Sequence, residues 1–377
     1  MPFDFDEVID RHGTGSDKWD HYGDRDIVPM WVADMDFRAP PPVLDALHRR
    51  VDHGVFGYTS APAETTAAAC DMLAEHFDWQ VDPDWFVWLP GLVPGLHIAC
   101  AAVGEDGDQV LTMTPVYPPF LHAPARARRE LVTVPLADAR GTIDFDALAA
   151  AVTPSTRILM LCSPQNPTGR VYTREELAQV GEFCCRHDLV LVSDEIHFGL
   201  VLDANAPHTI TATLGADVAR RSITLIAPSK TYNIAGLGCS LAIIPDPWLR
   251  RRFRNARAGF VPHVNALGYT AATAAWRECA AWHAALTDYL RGNLDRVETA
   301  VSAHPGLGMQ RAQATYLAWI DARGLGVDDP GAAFEAAGLG LSDGRHFGAP
   351  GFVRLNFGCP RATLDEGLRR LARVGSS

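Results

Sequence analysis

The residues VLVSDEIH at 190–197 decide the fold, because an apolar, β-branched run stops there abruptly at charged side chains. Such a run is typical of a strand that is buried on both faces of a sheet. Comparable runs recur as far as residue 244, and helical patterns at about 94–104, 144–151 and 174–187 separate them. The seven predicted strands are Phe86–Leu89, Gln109–Met113, Leu131–Pro135, Ile158–Cys162, Val190–Ser193, Ile223–Ala227 and Ser240–Ile244.

This alternation predicts an α/β fold with a mostly parallel, mixed seven-stranded sheet sandwiched by helices. After about residue 262 a long amphipathic helix (Leu286 to Val301) is followed by a shorter α+β pattern. That pattern consists of strands at Tyr316–Asp321 and Phe352–Asn356 and helices at 330–337 and 361–373. We therefore expect a large domain at 46–262, a small α+β domain at 263–377, and an N-terminal segment at 1–45 that packs with the small domain.

Composition and net charge exclude several classes of protein. The 377 residues are 47% hydrophobic and 21% charged, as in ordinary globular proteins, and their formal net charge is −12. A nucleic-acid protein would show a basic face, so we expect no nucleic-acid partner. The eight cysteines have no zinc spacing, and no metal-binding motif occurs. Without a signal peptide or a run of about 18 apolar residues, the chain is expected to be cytoplasmic and not to engage a membrane.

Three strand ends carry chemically functional residues: SPQNPTG after Cys162, SDEIH after Val192 and SKTYN after Pro228. Ligands of open parallel sheets bind beyond the carboxyl ends of the strands. Taken singly, Asp194 could be a structural ion-pair partner, Lys230 a surface residue, and Asn166 part of a turn. A lysine beside a desolvated pocket can instead lose its proton and act as a nucleophilic amine. The order and spacing of the three motifs favour a shared site.

SPQNPTG, SDEIH, SKTYN and VRLNFG, in this order, resemble the signature of fold-type I pyridoxal-phosphate (PLP) enzymes, the aminotransferase class I/II superfamily. WVADMDFRAPPPV, HGVFGYT and SKTYNIAGL resemble the MalY/PatB cystathionine β-lyase (C–S lyase) branch. The resemblance extends from about Phe3 to Leu371. It implies a PLP-dependent transferase fold of type I, with pyridoxal 5′-phosphate as the cofactor.

The resemblance also implies roles for the residues around the cofactor ring. Lys230 would bind the cofactor as a Schiff base and then shuttle the substrate α-proton. Asp194 would pair with the pyridine nitrogen and keep it protonated, which makes the ring an electron sink. Asn166 would donate to the 3′-oxygen, and Tyr117 would stack on the ring. His197 replaces a tyrosine found in many aminotransferases, so a pocket role and a structural role both remain open.

The cofactor phosphate would be held by the start of a helix and by hydroxyl groups. The N–H groups of Leu92 and Val93 lie at the predicted helix start, which is a ready anion site. Ser229 would add a hydroxyl group. Tyr58 matches a catalytic tyrosine that reaches the phosphate from the partner subunit, which implies a homodimer with shared active sites. Gly238 departs from the family, because many aminotransferases have a phosphate-binding arginine at that position.

The residues implied for substrate binding come from two places in the chain. Arg354, in FVRLNFG, matches the arginine that grips the substrate α-carboxylate in a bidentate fork, although a structural salt bridge is the alternative. Asp34 and Met35, in WVADMDF, are the other expected substrate contacts.

The function that the resemblance implies is a carbon–sulfur β-lyase of amino-acid metabolism, for example in methionine biosynthesis. It would cleave L-cystathionine or cysteine S-conjugates, small sulfur-containing amino acids, to a thiol, pyruvate and ammonia. One alternative is a class I/II aminotransferase, because Lys230, Asp194 and Arg354 serve both reactions. A second alternative is a regulatory binding protein that retains lyase activity.

Overall fold

The computed structural model describes residues 3–375, and residues 1–2 and 376–377, the outermost positions of the predicted N-terminal segment and small domain, lie outside them. The strands are β1 Val28–Pro29, β2 Phe86–Leu89, β3 Gln109–Thr114, β4 Glu130–Pro135, β5 Thr156–Cys162, β6 Val190–Asp194, β7 Ser222–Ile226, β8 Ser240–Ile243, β9 Gly308–Met309, β10 Leu317–Asp321, β11 Leu339–Gly340, β12 Ser342–Asp343 and β13 Phe352–Asn356. All seven strands predicted for the large sheet are confirmed to within two residues at either end.

Helices alternate with these strands, and each helical pattern in the sequence corresponds to one. The helices are α1 Asp17–Asp20, α2 Pro41–Asp52, α3 Ala63–Phe77, α4 Leu92–Ala102, α5 Pro118–Arg126, α6 Phe145–Ala151, α7 Arg174–Arg186, α8 Ala216–Arg220, α9 Pro247–Arg257, α10 Ala266–Glu278, α11 Ala280–Ser302, α12 Pro330–Ala336 and α13 Arg361–Leu371. A capping box of Thr173 and Glu176 begins α7. No helix of the described residues is long and apolar enough to cross a membrane.

The large sheet has the strand order β2-β8-β7-β6-β5-β3-β4. Strand β8 runs antiparallel to both of its neighbours, and the other adjacent pairs are parallel. Side chains of α4, α5 and α9 join the hydrophobic core on one face, and those of α6 and α7 join the core on the other. The predicted α/β fold, with a mostly parallel mixed sheet between helices, is therefore confirmed.

A second, four-stranded sheet has the order β12-β13-β10-β9. The long helix α11 packs against it through the apolar positions recognised in the sequence, from Leu286 to Val301. Strand β1 of the N-terminal segment pairs in parallel with β11 of this region. Helix α10 lies against α2 and α3 and against Trp88 of the large sheet.

Three neighbouring parallel strands, β5, β6 and β7, bring their carboxyl ends to one edge of the large sheet. Asn166 lies four residues after β5, Asp194 ends β6, and Lys230 lies four residues after β7. Arg354 lies on β13 of the second sheet. The fold thus places the candidate site at the large sheet's carboxyl edge, next to the smaller sheet.

Candidate active site

Lys230 lies beyond β7, where its amine lines a cavity of about 870 Å³. Its Nζ donates a hydrogen bond of 2.5 Å to the main-chain oxygen of Ala33. Burial lowers the pKa of Lys230 to about 8, and the nearby carboxylates of Asp34 and Asp194 act against this shift. An amine with this pKa is partly deprotonated near neutral pH, which favours a role as a nucleophile or general base.

Asp194 ends β6, and its side chain is only 3% exposed. Within residues 3–375, its carboxylate accepts one hydrogen bond, from the N–H of Ile196 at 3.2 Å. Burial raises the pKa of Asp194 to about 7, although the charge of Lys230 opposes the shift. A buried carboxylate in this position would be stabilised by a cationic partner.

Arg354 is 5% exposed and connects the two sheets. Its Nη1 donates to Oδ1 of Asn166 at 2.9 Å, and its Nη2 donates to the main-chain oxygen of Trp31 at 2.9 Å and to Oγ of Ser342 at 3.3 Å. The guanidinium also lies over the ring of Phe347, at 4.8 Å from its centroid. Burial lowers the pKa of Arg354 to about 10, so the group stays charged at neutral pH.

Two rings accompany these groups. Tyr117 immediately precedes α5 and lines the cavity, and burial raises the pKa of its hydroxyl group. His197 is buried, and its ring stands edge-on to Tyr316 with 6.4 Å between centroids. Burial lowers the pKa of His197 to about 3, so its imidazole is neutral at physiological pH. Its Nδ1 is buried without a hydrogen-bond partner in the described structure.

The start of α4 has the features of the predicted anion site. Gly91 precedes the helix, Leu92 is buried, and Val93 is 36% exposed. Ser229 is half-buried in the turn before the lysine. Gly238 has a φ of +58°, and a Cβ there would lie 3.0 Å from the main-chain oxygen of Pro90. An arginine side chain at this position would strain the backbone, which explains the departure from the family pattern.

Lys230, Tyr117 and Arg354 are the predicted site residues that line this cavity, whereas Asp194, Asn166, His197, Leu92, Val93, Ser229, Tyr58, Asp34 and Met35 do not. Tyr58 is fully exposed, in the irregular segment between α2 and α3. The carboxylate of Asp34 pairs with Arg11 at 2.8 Å, and the side chain of Met35 is only 2% exposed. Residues of the same segment that do line the cavity are Trp31, Val32 and Ala33.

Several residues at the site carried no prediction. Tyr316 donates its hydroxyl hydrogen to the oxygen of Ala33 at 2.9 Å. Asn356 donates to the main-chain oxygens of Val32 and Asp34, at 2.5 and 2.6 Å. Asn356 belongs to the VRLNFG motif and could have been singled out from it, whereas nothing in the sequence marks a main-chain oxygen as a site atom.

The groups at and near the carboxyl edge of the large sheet fit pyridoxal phosphate. Asp194 offers a buried carboxylate without a cationic hydrogen-bond partner among the described residues, which suits a protonated ring nitrogen. The amine of Lys230 suits an aldehyde, and the N–H groups at the start of α4 suit a phosphate. The buried, unpartnered atoms Nδ1 of His197 and Nε of Arg354 leave polar groups for a ligand to satisfy.

Comparisons with known proteins agree with this geometry. The family model of aminotransferase class I and II matches residues 26–371. Cystathionine β-lyase PatB of Bacillus subtilis is 40% identical, over 97% of this chain and 98% of PatB. The crystal structure of OvoB has a TM-score of 0.97 and 47% identity, and the match covers 100% of both chains. The crystal structure of cystalysin from Treponema denticola, which contains pyridoxal 5′-phosphate, has a TM-score of 0.94 and 33% identity, and the match covers 99% of both chains.

Fold and site together define the class, which is fold-type I of the pyridoxal-phosphate-dependent transferases. The match over most of the chain then defines the family. The chain belongs to the aminotransferase class I and II family.

Proposed function

We propose that the protein is a PLP-dependent carbon–sulfur β-lyase that cleaves L-cystathionine or related cysteine S-conjugates to a thiol, pyruvate and ammonia. The observation that carries the proposal is the cavity shared by Lys230 and Arg354, with the buried carboxylate of Asp194 at the same sheet edge. The lyase outcome, rather than transamination, is supported by the similarity to PatB along nearly the whole of both chains.

Cofactor binding would use the groups described above. Lys230 would hold the aldehyde carbon and Asp194 the ring nitrogen, while Asn166 and His197 would face the 3′-oxygen side and Tyr117 the ring. The phosphate would lie against Leu92, Val93 and Ser229. When bound, the cofactor supplies an electron-withdrawing ring that stabilises negative charge at the substrate Cα.

The protein's own residues then perform the remaining steps. Arg354 binds the α-carboxylate through its guanidinium fork, which fixes the Cα–H bond relative to Lys230. Once the substrate amine displaces Lys230 from the aldehyde carbon, the freed amine of Lys230 would take the α-proton, for which a pKa of about 8 is well suited. The Cβ–S bond would then break with its electron pair leaving on the sulfur as a thiolate, and hydrolysis of the remaining three-carbon fragment would give pyruvate and ammonia.

A homodimer with shared active sites is part of the proposal. The segment between α2 and α3 exposes Val55, Phe56 and Tyr58, of which Tyr58 is fully exposed. Neighbouring apolar side chains at the surface are typical of an interaction site. Tyr58 of one subunit would contact the cofactor phosphate of the other.

Two further expectations stay proposals. The division into an N-terminal segment (1–45), a large domain (46–262) and a small domain (263–377) is supported by the pairing of β1 with β11, although α10 packs against the large sheet. A cytoplasmic location is supported by eight cysteines that are all free thiols, as is usual in a reducing compartment.

The test is incubation of the purified holoenzyme with L-cystathionine and a coupled assay of pyruvate. We expect steady pyruvate release by the wild type and none by Lys230→Ala. A wild type that contains the cofactor yet releases no pyruvate from cystathionine or from any S-alkyl cysteine would contradict the proposal.

A further inference from the structure

Lys18 is an unusual residue in this chain. Of the 33 lysine and arginine residues, only Lys18 and Lys230 are lysines. The side chain of Lys18 is 1% exposed, and its Nζ lies 2.6 Å from Oδ2 of Asp36 and 3.8 Å from Oδ1 of Asp34. A buried ammonium group is costly to desolvate and is kept only where carboxylates compensate it. Apart from Lys230 at the candidate active site, Lys18 is therefore the only lysine of the sequence, and it lies in the protein interior.

Lys18 belongs to a closed network of four charges. Arg11 donates to Asp36 at 2.7 Å and to Asp34 at 2.8 Å, so two cations face two carboxylates. The indole nitrogen of Trp19 adds a third donor to Asp36, at 2.9 Å. Asp36 is 4% exposed and Arg11 is 23% exposed. We call Arg11, Lys18, Asp34 and Asp36 the N-terminal charge network.

The network fixes the side chains of Asp34 and Asp36. Both residues belong to a segment whose main-chain oxygens face the active site. In Trp31–Phe37, the oxygen of Trp31 accepts from Arg354 and the oxygen of Ala33 accepts from both Lys230 and Tyr316. The oxygens of Val32 and Asp34 accept from Asn356. Every one of these bonds depends on where the main chain of the segment lies.

The same segment is fixed on its other side by the loop that follows Lys230. The side-chain oxygen of Asn233 accepts from the N–H of Met35, and its amide nitrogen donates to the oxygens of Met35 and Phe37. The segment is therefore held between the lysine loop of the large sheet and Arg354 of the small sheet. The position of this segment therefore sets how the amine of Lys230 lies relative to the guanidinium of Arg354.

We propose that Lys18 is a positioning residue for the reaction. Its buried ammonium group, within the N-terminal charge network, fixes segment Trp31–Phe37 so that the main-chain oxygens of this segment orient Lys230 and Arg354. Lys18 does not line the cavity that contains Lys230 and Arg354. The proposal rests on the proposed function for its kinetic readout, and its spectroscopic readout requires only bound cofactor.

The main test is Lys18→Met, which removes the charge and keeps most of the side-chain volume. In the holoenzyme we expect the KM for a cysteine S-conjugate to rise about 10-fold or more while kcat falls less, because Arg354 loses its alignment. The pH midpoint of the cofactor's visible absorption should shift as well, because the main-chain segment that lies against Lys230 is displaced. Arg38→Met is the matched control: Arg38 adjoins the segment but is 59% exposed and pairs with Glu7.

A double variant separates positioning by Lys18 from a purely structural role, in which KM and thermal stability would recover together. In Lys18→Met/Asp36→Asn both charges are absent, so the protein should regain thermal stability while its KM stays raised. If the double variant restores KM as well, or if Lys18→Met leaves both KM and the absorption midpoint within twofold of the wild type, the proposal is overturned. If Lys18→Met does not fold, the partly exposed Arg11→Met replaces it, with an expected rise in KM of about 3- to 10-fold and the same twofold limit.

Failure of the proposed function would be recognised separately. A wild type that binds the cofactor but releases no pyruvate contradicts the lyase proposal alone. In that case the absorption midpoint and the spectral affinity for L-alanine are compared between the wild type and Lys18→Met. A shift of the midpoint and a weaker affinity in the variant support positioning by Lys18, and unchanged values overturn it.

Discussion

Replacing Arg354 by methionine should reduce kcat/KM far more than it perturbs the fold. The guanidinium is buried and stays charged, and its fork would bind the substrate α-carboxylate through two charge-assisted hydrogen bonds. Each such bond contributes about 1.5–3 kcal/mol, so the loss amounts to about 3–6 kcal/mol. At ~1.4 kcal/mol per factor of ten, kcat/KM should fall by roughly 10²- to 10⁴-fold.

Arg354→Lys retains the charge but loses the fork, so about one bond is lost and kcat/KM should fall by roughly 10- to 100-fold. The assay is pyruvate release at several concentrations of S-methyl cysteine, with thermal denaturation of each variant as a check on folding. Arg323→Met is the matched control, because Arg323 adjoins the same small sheet but is 66% exposed and pairs with Asp321. The control should change kcat/KM by less than twofold.

A second comparison isolates the carboxylate. L-Alanine and ethylamine differ by this group, and their affinities can be read from the spectrum of the bound cofactor. The wild type should prefer L-alanine strongly, and Arg354→Met should lose most of that preference. If the variant keeps its kcat/KM within threefold, or keeps the full preference for L-alanine, Arg354 does not bind the carboxylate and the reasoning is refuted.

Three other predictions follow from the site. Burial raises the pKa of Asp194 to about 7. In the cofactor-free protein, the carboxyl group of Asp194 therefore binds its proton more tightly in the folded state than in the unfolded state. The folded protein should lose stability as the pH rises from about 4 to 7. Cofactor-free Asp194→Asn should therefore melt at a higher temperature than the wild type at pH 8, and an equal or lower melting temperature would contradict this. The pKa of His197 is lowered to about 3, so His197→Gln should leave the inflections of the pH–rate profile between pH 5 and 9 in place, and the loss of one would show that His197 titrates there. A heterodimer of Lys230→Ala and Tyr58→Phe chains should keep about half of the wild-type activity per dimer if Tyr58 acts across the interface, and almost none if it acts within its own subunit.

The large sheet could be predicted because its strands are apolar on both faces and stop at polar residues. These continuous apolar runs are distinct from the three- and four-residue apolar spacing of the helices between them. The sequence therefore predicted β5, β6 and β7 and the polar residues that follow them. Once three parallel strands are neighbours, their carboxyl ends must lie at one edge. The meeting of Asn166, Asp194 and Lys230 therefore follows from local patterns.

The N-terminal part of the site could not be predicted in the same way. Segment Trp31–Phe37 contributes mainly main-chain oxygens, and these are present in every residue and leave no signal in the sequence. Lys18 resembles an ordinary surface lysine until the fold brings Asp34 and Asp36 to it. The WVADMDF motif predicted substrate contacts by Asp34 and Met35, whereas Trp31, Val32 and Ala33 of this motif line the cavity.

Gly238 shows how a departure from a family pattern can have a backbone cause. The sequence marks only that a glycine stands where many aminotransferases have an arginine. The positive φ and the proximity of the Pro90 oxygen belong to the folded chain and explain why a larger residue is disfavoured.

The most direct test of the lyase proposal is the stoichiometry of products from L-cystathionine in the absence of any keto acid. The account predicts that the holoenzyme turns over many times and releases pyruvate, ammonia and thiol in equal amounts, because the Cβ–S bond breaks in every cycle. An aminotransferase would instead stop after one turnover, with the cofactor in its amine form and no thiol released, until a keto acid restored it. That second result would contradict the account.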